Sequence, residues 1–178
     1  IDAVDEHYYE QPGWFVNHQD YYDSYDRQQP KVYLGEYASR GKDALDNALA
    51  EGIHLCNVER NGDVVEMASY APLLSKDGYS NWSPDMIYFN NNKVRASQSY
   101  EVQKMFSVHA GDNYVESKLD LPASLRRYVG ISVVKDSKSG KTWLKVVNAL
   151  PCKLKLKLSG LSHQEIAIDA RKYNVWPL

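Results

Sequence analysis

Three short apolar runs in this sequence each end in groups able to do chemistry. "AVDE" leads into His7, Tyr8 and Tyr9, "KVYL" into Gly35, Glu36 and Tyr37, and "DVVEMA" into Ser69 and Tyr70. A carboxylate, an imidazole and several hydroxyls gathered in one place are the material of acid–base and nucleophilic chemistry. Taken singly, each has a plain explanation. Glu36 reads as a solvated loop acid, His7 as a hydrogen-bonded interior histidine, and the tyrosines as packing. The coincidence is the signal, because all three polar ends follow an apolar stretch. In an α/β barrel the C-terminal strand ends carry the catalytic groups, while the rest of each strand is core.

The elements that must position these groups alternate. The first strand, "AVDEHYY", precedes a helix predicted over residues 15 to 27, with Phe15, Tyr22 and Tyr25 on one face and Pro30 beyond its end. "KVYLGEYA" is the second strand, broken at Gly35, with Glu36 at the turn into a loop. A helix with Asp43 as N-cap follows. Leu45, Ala48, Leu49, Gly52, Ile53 and Cys56 form one apolar stripe along it, and Asn61-Gly62 is expected to close it in a left-handed turn. "DVVEMASYAPLL" is the third strand. A loop rich in Asn, Ser, Asp and Trp leads to a last helix, with Ser99 as cap and Val102, Met105 and Phe106 on one face. Strands alternating with helices predict parallel pairing.

After about residue 110 the pattern changes to period two. "YVESKLDL", "YVGISVVKD", "TWLKVVNAL", "CKLKLKLSG" and "QEIAIDA" read as short strands of an antiparallel sandwich without helices. Leu154, Leu156 and Leu158 face one way and the intervening lysines the other. "DSKSGKT" is a hairpin turn, with Gly140 free to take positive φ. The expected division is therefore residues 1–109, βα units, and 110–178, the sandwich.

The 178 residues are 43% hydrophobic, enough for a packed core, and the net charge of −2 gives no electrostatic case for nucleic acid or an anionic membrane. No apolar run is long enough to span a bilayer. Cys56 and Cys152 lack metal-ligand spacing and are expected to be buried free thiols; no metal or cofactor is called for. Fourteen tyrosines and four tryptophans suit a cleft that meets sugars, whose C–H faces pack on rings, or else fill amphipathic positions. The chain starts with Ile1, inside a strand-like segment, which reads as a piece of something longer.

The stretches "DEHYY", "YDSYDRQQPKVYLGEYA", "ALAEGIHLCNVERNGDVVEMASYAPLL" and "NWSPDMIYFN" resemble the α-L-arabinofuranosidases of glycoside hydrolase family 51, in family order, from residue 2 to about 108. The tail resembles that family's C-terminal β-sandwich in type only. The resemblance implies the last three units of a (β/α)₈ barrel and a retaining glycosidase acting on arabinose-containing carbohydrates. The "GEYA" motif puts the nucleophile at Glu36. The His-x-Tyr motif matches His7 and Tyr9, with Tyr9 expected to hydrogen-bond the nucleophile; of adjacent strand residues only one can face the mouth, so Tyr8 should not. Tyr37 and Ser69 are expected at the same mouth. Trp82, after the last strand, either walls the sugar site or anchors its loop to the rim.

Retaining hydrolysis needs two carboxylates about 5–5.5 Å apart. The family's acid/base glutamate follows an asparagine at the fourth strand end, and this sequence has no Asn-Glu pair. Glu66 and Glu6 both precede their strand ends and do not fit that role. The chain therefore reads as the nucleophile half of an enzyme, whose partner is the missing N-terminal part of the same protein. A non-catalytic β-sandwich module with a vestigial barrel segment is the competing reading, and other plant-wall glycosides remain alternative substrates. The compartment is left open: wall polysaccharides favour an extracellular or periplasmic site, and intracellular family members acting on oligosaccharides are an equal alternative; a homo-oligomer is left open too. Asn81 is a formal glycosylation acceptor weakened by Pro84.

Overall fold

The computed structural model describes residues 2–178. Strands β1 (Ala3–Glu10), β2 (Lys31–Ser39) and β3 (Val65–Tyr70) form a parallel sheet in that order, as the alternating pattern predicts. Helices α1 (Pro12–Asn17) and α2 (Ala44–Arg60) are the crossovers, and both cover the same face of the sheet. Val32 and Leu34 of β2 lie buried under them, in one cluster with Phe15, Leu49 and Ile53. Asp43 caps α2 as expected, its Oδ1 accepting from the N–H groups of Leu45 and Asp46 at 2.8 and 3.0 Å.

Several local expectations are corrected. The helix predicted over 15–27 stops at Asn17, and successive turns follow, with Tyr21, Asp23 and Tyr25 N–H groups bonding back three residues. Asp20, Asp23, Ser24 and Asp26 favour turns over helix interior. Arg27 then takes the carbonyls of Tyr22, Asp23 and Tyr25, acceptors a continuing helix would need. Phe15 and Tyr22 are buried all the same. The end of α2 is not left-handed: Asn61 has φ −109°, and its side chain is tied to Asp23 at 2.7 Å. The "loop" after β3 holds a small sheet of β4 (Leu74–Lys76), β5 (Ile87–Phe89) and β6 (Val94–Ala96). Asn90 closes its hairpin, accepting from the N–H groups of Asn92 and Lys93. The cap of α3 (Gln98–Val108) is Ser97, which accepts from Tyr100, while Ser99 is buried. Val102, Met105 and Phe106 do share the buried face.

Beyond α3 the chain turns antiparallel. Strand β7 (Asn113–Tyr114) is much shorter than its alternating segment. One helical turn, α4 (Ala123–Arg126), stands where only strands were expected. β8 (Val129–Lys135), β9 (Thr142–Asn148), β10 (Leu154–Lys157) and β11 (Glu165–Ile168) match the predicted segments. β12 (Lys172–Pro177) was not expected; it pairs with β9. The sheets are β12-β9-β8-β7 and β10-β11, and Gly140 takes φ +73° in the β8–β9 turn. Leu154, Leu156 and Leu158 join Val133, Leu144 and Ile166 in a second apolar cluster. Cys56 is buried, but Cys152 is exposed beside the β9–β10 turn.

Helix α2 is covered all round, so one apolar stripe understates it. Every residue from Asn47 to Asn57 is buried, including Glu51 and His54. One side meets the parallel sheet; the other meets β8 and β9, where Gly52 lets the helix approach Val147, and Gly130 lets β8 approach Ile53 and Cys56. Glu51 accepts from the Ser39 N–H at 2.9 Å, and burial pushes its carboxyl up from 4.5 to about 7. An acid raised in the folded state contributes stability below its unfolded value and loses it as pH rises through the folded one. The stability difference between the wild type and Glu51→Gln should therefore change between about pH 4.5 and 7, the variant losing less as pH rises. His54, held down to about 3 by burial, slopes the opposite way but is common to both proteins. Urea midpoints across that range check this, and parallel curves refute it.

Candidate active site

Strand β1 sorts its side chains by parity. Glu6 and Tyr8 point to the helix-covered face. The Tyr8 hydroxyl meets the Tyr22 hydroxyl and His54 Nε2, both at 2.8 Å, and burial pushes that phenol far up. Glu6 accepts from Tyr22 and Tyr25 at 3.2 and 2.9 Å. Asp5, His7 and Tyr9 point to the opposite, open face.

Strand β2 does not break at Gly35. It continues to Ser39 through a bulge: Glu6 pairs with Leu34, but His7 pairs with Glu36, so Gly35 is the extra residue. In an unbulged strand Glu36 would point the same way as Leu34, into the core. The bulge re-aims it onto the open face, opposite His7. A Cβ at Gly35 would stand 2.1 Å from Asp5 Oδ1 and 2.9 Å from His7 Nε2, so those side chains would have to move.

On that face Tyr9 Oη donates to Glu36 Oε2. Tyr9, not Tyr8, is thus the tyrosine that reaches the carboxylate. Burial first, then the bond to Glu36, pushes the Tyr9 phenol up to about 12, so it keeps its proton at neutral pH. His7 Nδ1 lies 3.6 Å from the same Oε2, and its Nε2 lies 2.9 Å from Asp5 Oδ2. The Trp82 ring packs against Tyr9 at 5.2 Å between centroids, and the Arg40 guanidinium lies 4.7 Å over Trp82. Trp82 thus leans on the rim and stays about a third exposed, 37%. Ser69 lies between the pairs Leu34–Ala68 and Tyr37–Tyr70, abreast of the bulge, and its hydroxyl meets Tyr33 Oη at 3.1 Å.

Tyr37 is not on this face. It is 1% exposed, and its hydroxyl donates to Gln103 Oε1 at 2.7 Å. The expectation that it lines the mouth is corrected; parity past the bulge sends it, like Tyr8 and Tyr70, toward the helices. Asp5, Tyr33 and Arg40 are residues the motifs did not single out. Asp5 was reachable, since a residue two before His7 shares its face. Among the described residues no group of three or more His, Cys, Asp or Glu is placed to hold a metal ion, and no helix is long and apolar enough to cross a membrane.

Residues 15–174 match the family described as the α-L-arabinofuranosidase C-terminal domain. The chain belongs to the family 51 α-L-arabinofuranosidases, in their C-terminal region. An extracellular exo-α-L-arabinofuranosidase of Streptomyces chartreusis is 48% identical over 136 residues, which is 74% of this chain and 16% of that protein. α-L-Arabinofuranosidase 1 of Arabidopsis thaliana is 38% identical over 122 residues, 66% of this chain and 18% of that protein. The chain thus spans less than a fifth of these relatives. An arabinose-bound family 51 α-L-arabinofuranosidase superposes with a TM-score of 0.80 at 26% identity, over 99% of this chain and 34% of that one. The arabinose complex of the Thermotoga maritima enzyme superposes with a TM-score of 0.62 at 12% identity, over 99% of this chain and 50% of that one, a likeness of fold. Mixed parallel and antiparallel sheets around α2 are what the arabinofuranosidase relatives share with this chain.

Proposed function

We propose that the complete protein is a retaining α-L-arabinofuranosidase and that Glu36 is its nucleophile. In this reading, residues 1–109 are the last units of a (β/α)₈ barrel whose open face is the barrel interior, and 110–178 are a β-sandwich domain. The observation that carries the reading is the division of labour on one carboxylate. Tyr9 and His7 both address Oε2, and among the described residues Oε1 has no hydrogen-bond partner. Oε1 is then the atom that attacks. The Tyr9 bond fixes the rotamer, so the lone pair of Oε1 is pre-aimed.

Oε1 forms a bond to the anomeric carbon of an arabinofuranosyl unit as the glycosidic C–O bond breaks. The leaving oxygen takes its proton from an acid outside this chain. Water then attacks the glycosyl-enzyme, gives its proton to the conjugate base of that acid, and releases Glu36 as a carboxylate. Within the chain, Glu6 is held on the covered face by Tyr22 and Tyr25, and Asp5 is held by His7. Neither is free to serve as the second carboxylate, so the isolated 178-residue chain should turn over no arabinofuranoside. Trp82 and Ser69 are the side chains left to border the sugar.

The test is covalent trapping. A fluorinated arabinofuranosyl inactivator should label the complete enzyme on Glu36, and a label on another carboxylate overturns the assignment. Tyr9→Phe should lower kcat by about 10²-fold, the scale on which misplacing a reacting group slows a reaction. Labelling of Glu36 should persist at a reduced rate. A rate within threefold or so of wild type would remove Tyr9 from the mechanism.

A further inference from the structure

The Gly35 bulge does more than turn Glu36 outward. It opens the space in which the Asp5 carboxylate and the His7 ring meet, since any Cβ at position 35 would occupy it. Asp5 Oδ2 stands 2.9 Å from His7 Nε2, and this leaves Nδ1 as the nitrogen turned on Glu36. We propose that Asp5 is a positioning residue, holding His7 so that the ring braces the Glu36 carboxylate from the side opposite its attacking oxygen. The proposal rests on the reading of Glu36 as nucleophile.

A histidine ring has two nitrogens, and an ionised carboxylate only accepts hydrogen bonds. Asp5 engages Nε2, and this contact sets the plane of the ring between Asp5 and Glu36. The 3.6 Å separation at Nδ1 is ion-pair rather than hydrogen-bond range. Contacts of this kind in an unliganded site commonly tighten when substrate binds. Asp5 and His7 are each about half exposed, 54% and 47%, so the pair matters through orientation more than through Coulomb energy. The same parity places Asp5, His7 and Tyr9 in one row along β1. Two of the three act on Oε2 directly, and Asp5 acts through His7.

The experiment uses the complete enzyme and three variants. Asp5→Ala removes the hold. Asp5→Asn keeps an oxygen that can accept from Nε2. Gly35→Ala keeps both side chains but drives Asp5 away from the ring. Asp5→Ala and Gly35→Ala should each lower kcat and the rate of Glu36 labelling by about 10–100-fold, the range for misplacing a reacting group, with KM within about threefold. Asp5→Asn should recover most of the loss. The ¹⁵N resonance of His7 Nε2 should shift in Asp5→Ala, where that nitrogen loses its carboxylate partner, and move back in Asp5→Asn, which an aspartate not engaged with the ring would not cause. Wild-type labelling rates in Asp5→Ala, no recovery in Asp5→Asn, or an unchanged His7 signal each overturn the proposal. If the wild type itself is labelled elsewhere than Glu36, the nucleophile assignment fails, and the role of Asp5 falls with it. That outcome is seen before any variant is made and so is distinct from the other three.

Discussion

Glu36→Gln in the complete enzyme is expected to lower kcat by about 10⁴-fold or more, in line with losses seen when a nucleophile is removed. Glutamine keeps the size and can still accept the Tyr9 hydrogen bond, so the mouth should hold its shape. What disappears is the anionic oxygen that forms the glycosyl-enzyme. The loss should persist with nitrophenyl arabinofuranosides, whose leaving group needs little protonation, because attack and not acid assistance has failed. An activated arabinofuranosyl donor with added azide should partly restore turnover in Glu36→Gly, where a small anion can occupy the vacated space. A Glu36→Gln enzyme retaining a tenth of wild-type rate would place the nucleophile elsewhere.

Lys145→Met is expected to destabilise the fold by about 3–5 kcal/mol, the range for breaking one side of a buried pair. Lys145 sits on β9 with no exposed surface, its ammonium on the Glu59 carboxylate of α2, 5.0 Å over the Phe106 ring. Ser132 of β8 donates to the other Glu59 oxygen at 2.5 Å. Burial already pushes Glu59 up against the pull of the lysine. Without the lysine, Glu59 must either stay ionised and unpaired or take a proton. The deficit should therefore be larger at pH 8 than at pH 5. A double change, Glu59→Leu with Lys145→Met, should recover most of the loss, since an apolar pair of similar volume suits such a site. Urea unfolding of the wild type and both variants decides it; a single-variant loss below about 1 kcal/mol would show that α2 and β9 do not depend on this pair.

The sequence by itself marked His7, Tyr9 and Glu36 at strand ends and the parallel pairing of β1, β2 and β3. Apolar runs and crossovers of helix length leave parallel pairing as the direct solution, and β1, β2 and β3 pair so. Period-two stretches located β8 through β11, because alternation is a property of each strand alone. Parity along β1 set Tyr8 and Tyr9 on opposite faces for the same local reason, and the His-x-Tyr resemblance chose Tyr9. The motifs resembling family 51 named Glu36, and the match over residues 15–174 shows that family.

Tertiary structure decided what depends on a neighbour. The run from Gln19 to Gln29 has aromatic spacing that suits a helix, yet Arg27, Arg60 and Asn61 bind its carbonyls and Asp23 and hold it in turns. β12 has no clear alternation and exists because β9 offers it an edge. The all-round burial of α2 follows from the second sheet on its far side, which no pattern within the helix announces. At the site, spacing placed Glu36 and Tyr37 together, but a single inserted residue in the pairing put them on opposite faces. A bulge is a mismatch between two strands, so it is absent from either strand read alone. Glu36 is on the open face with Tyr9 and His7 because Gly35 has no partner on β1, and a Cβ there would displace Asp5 and His7 from where they meet.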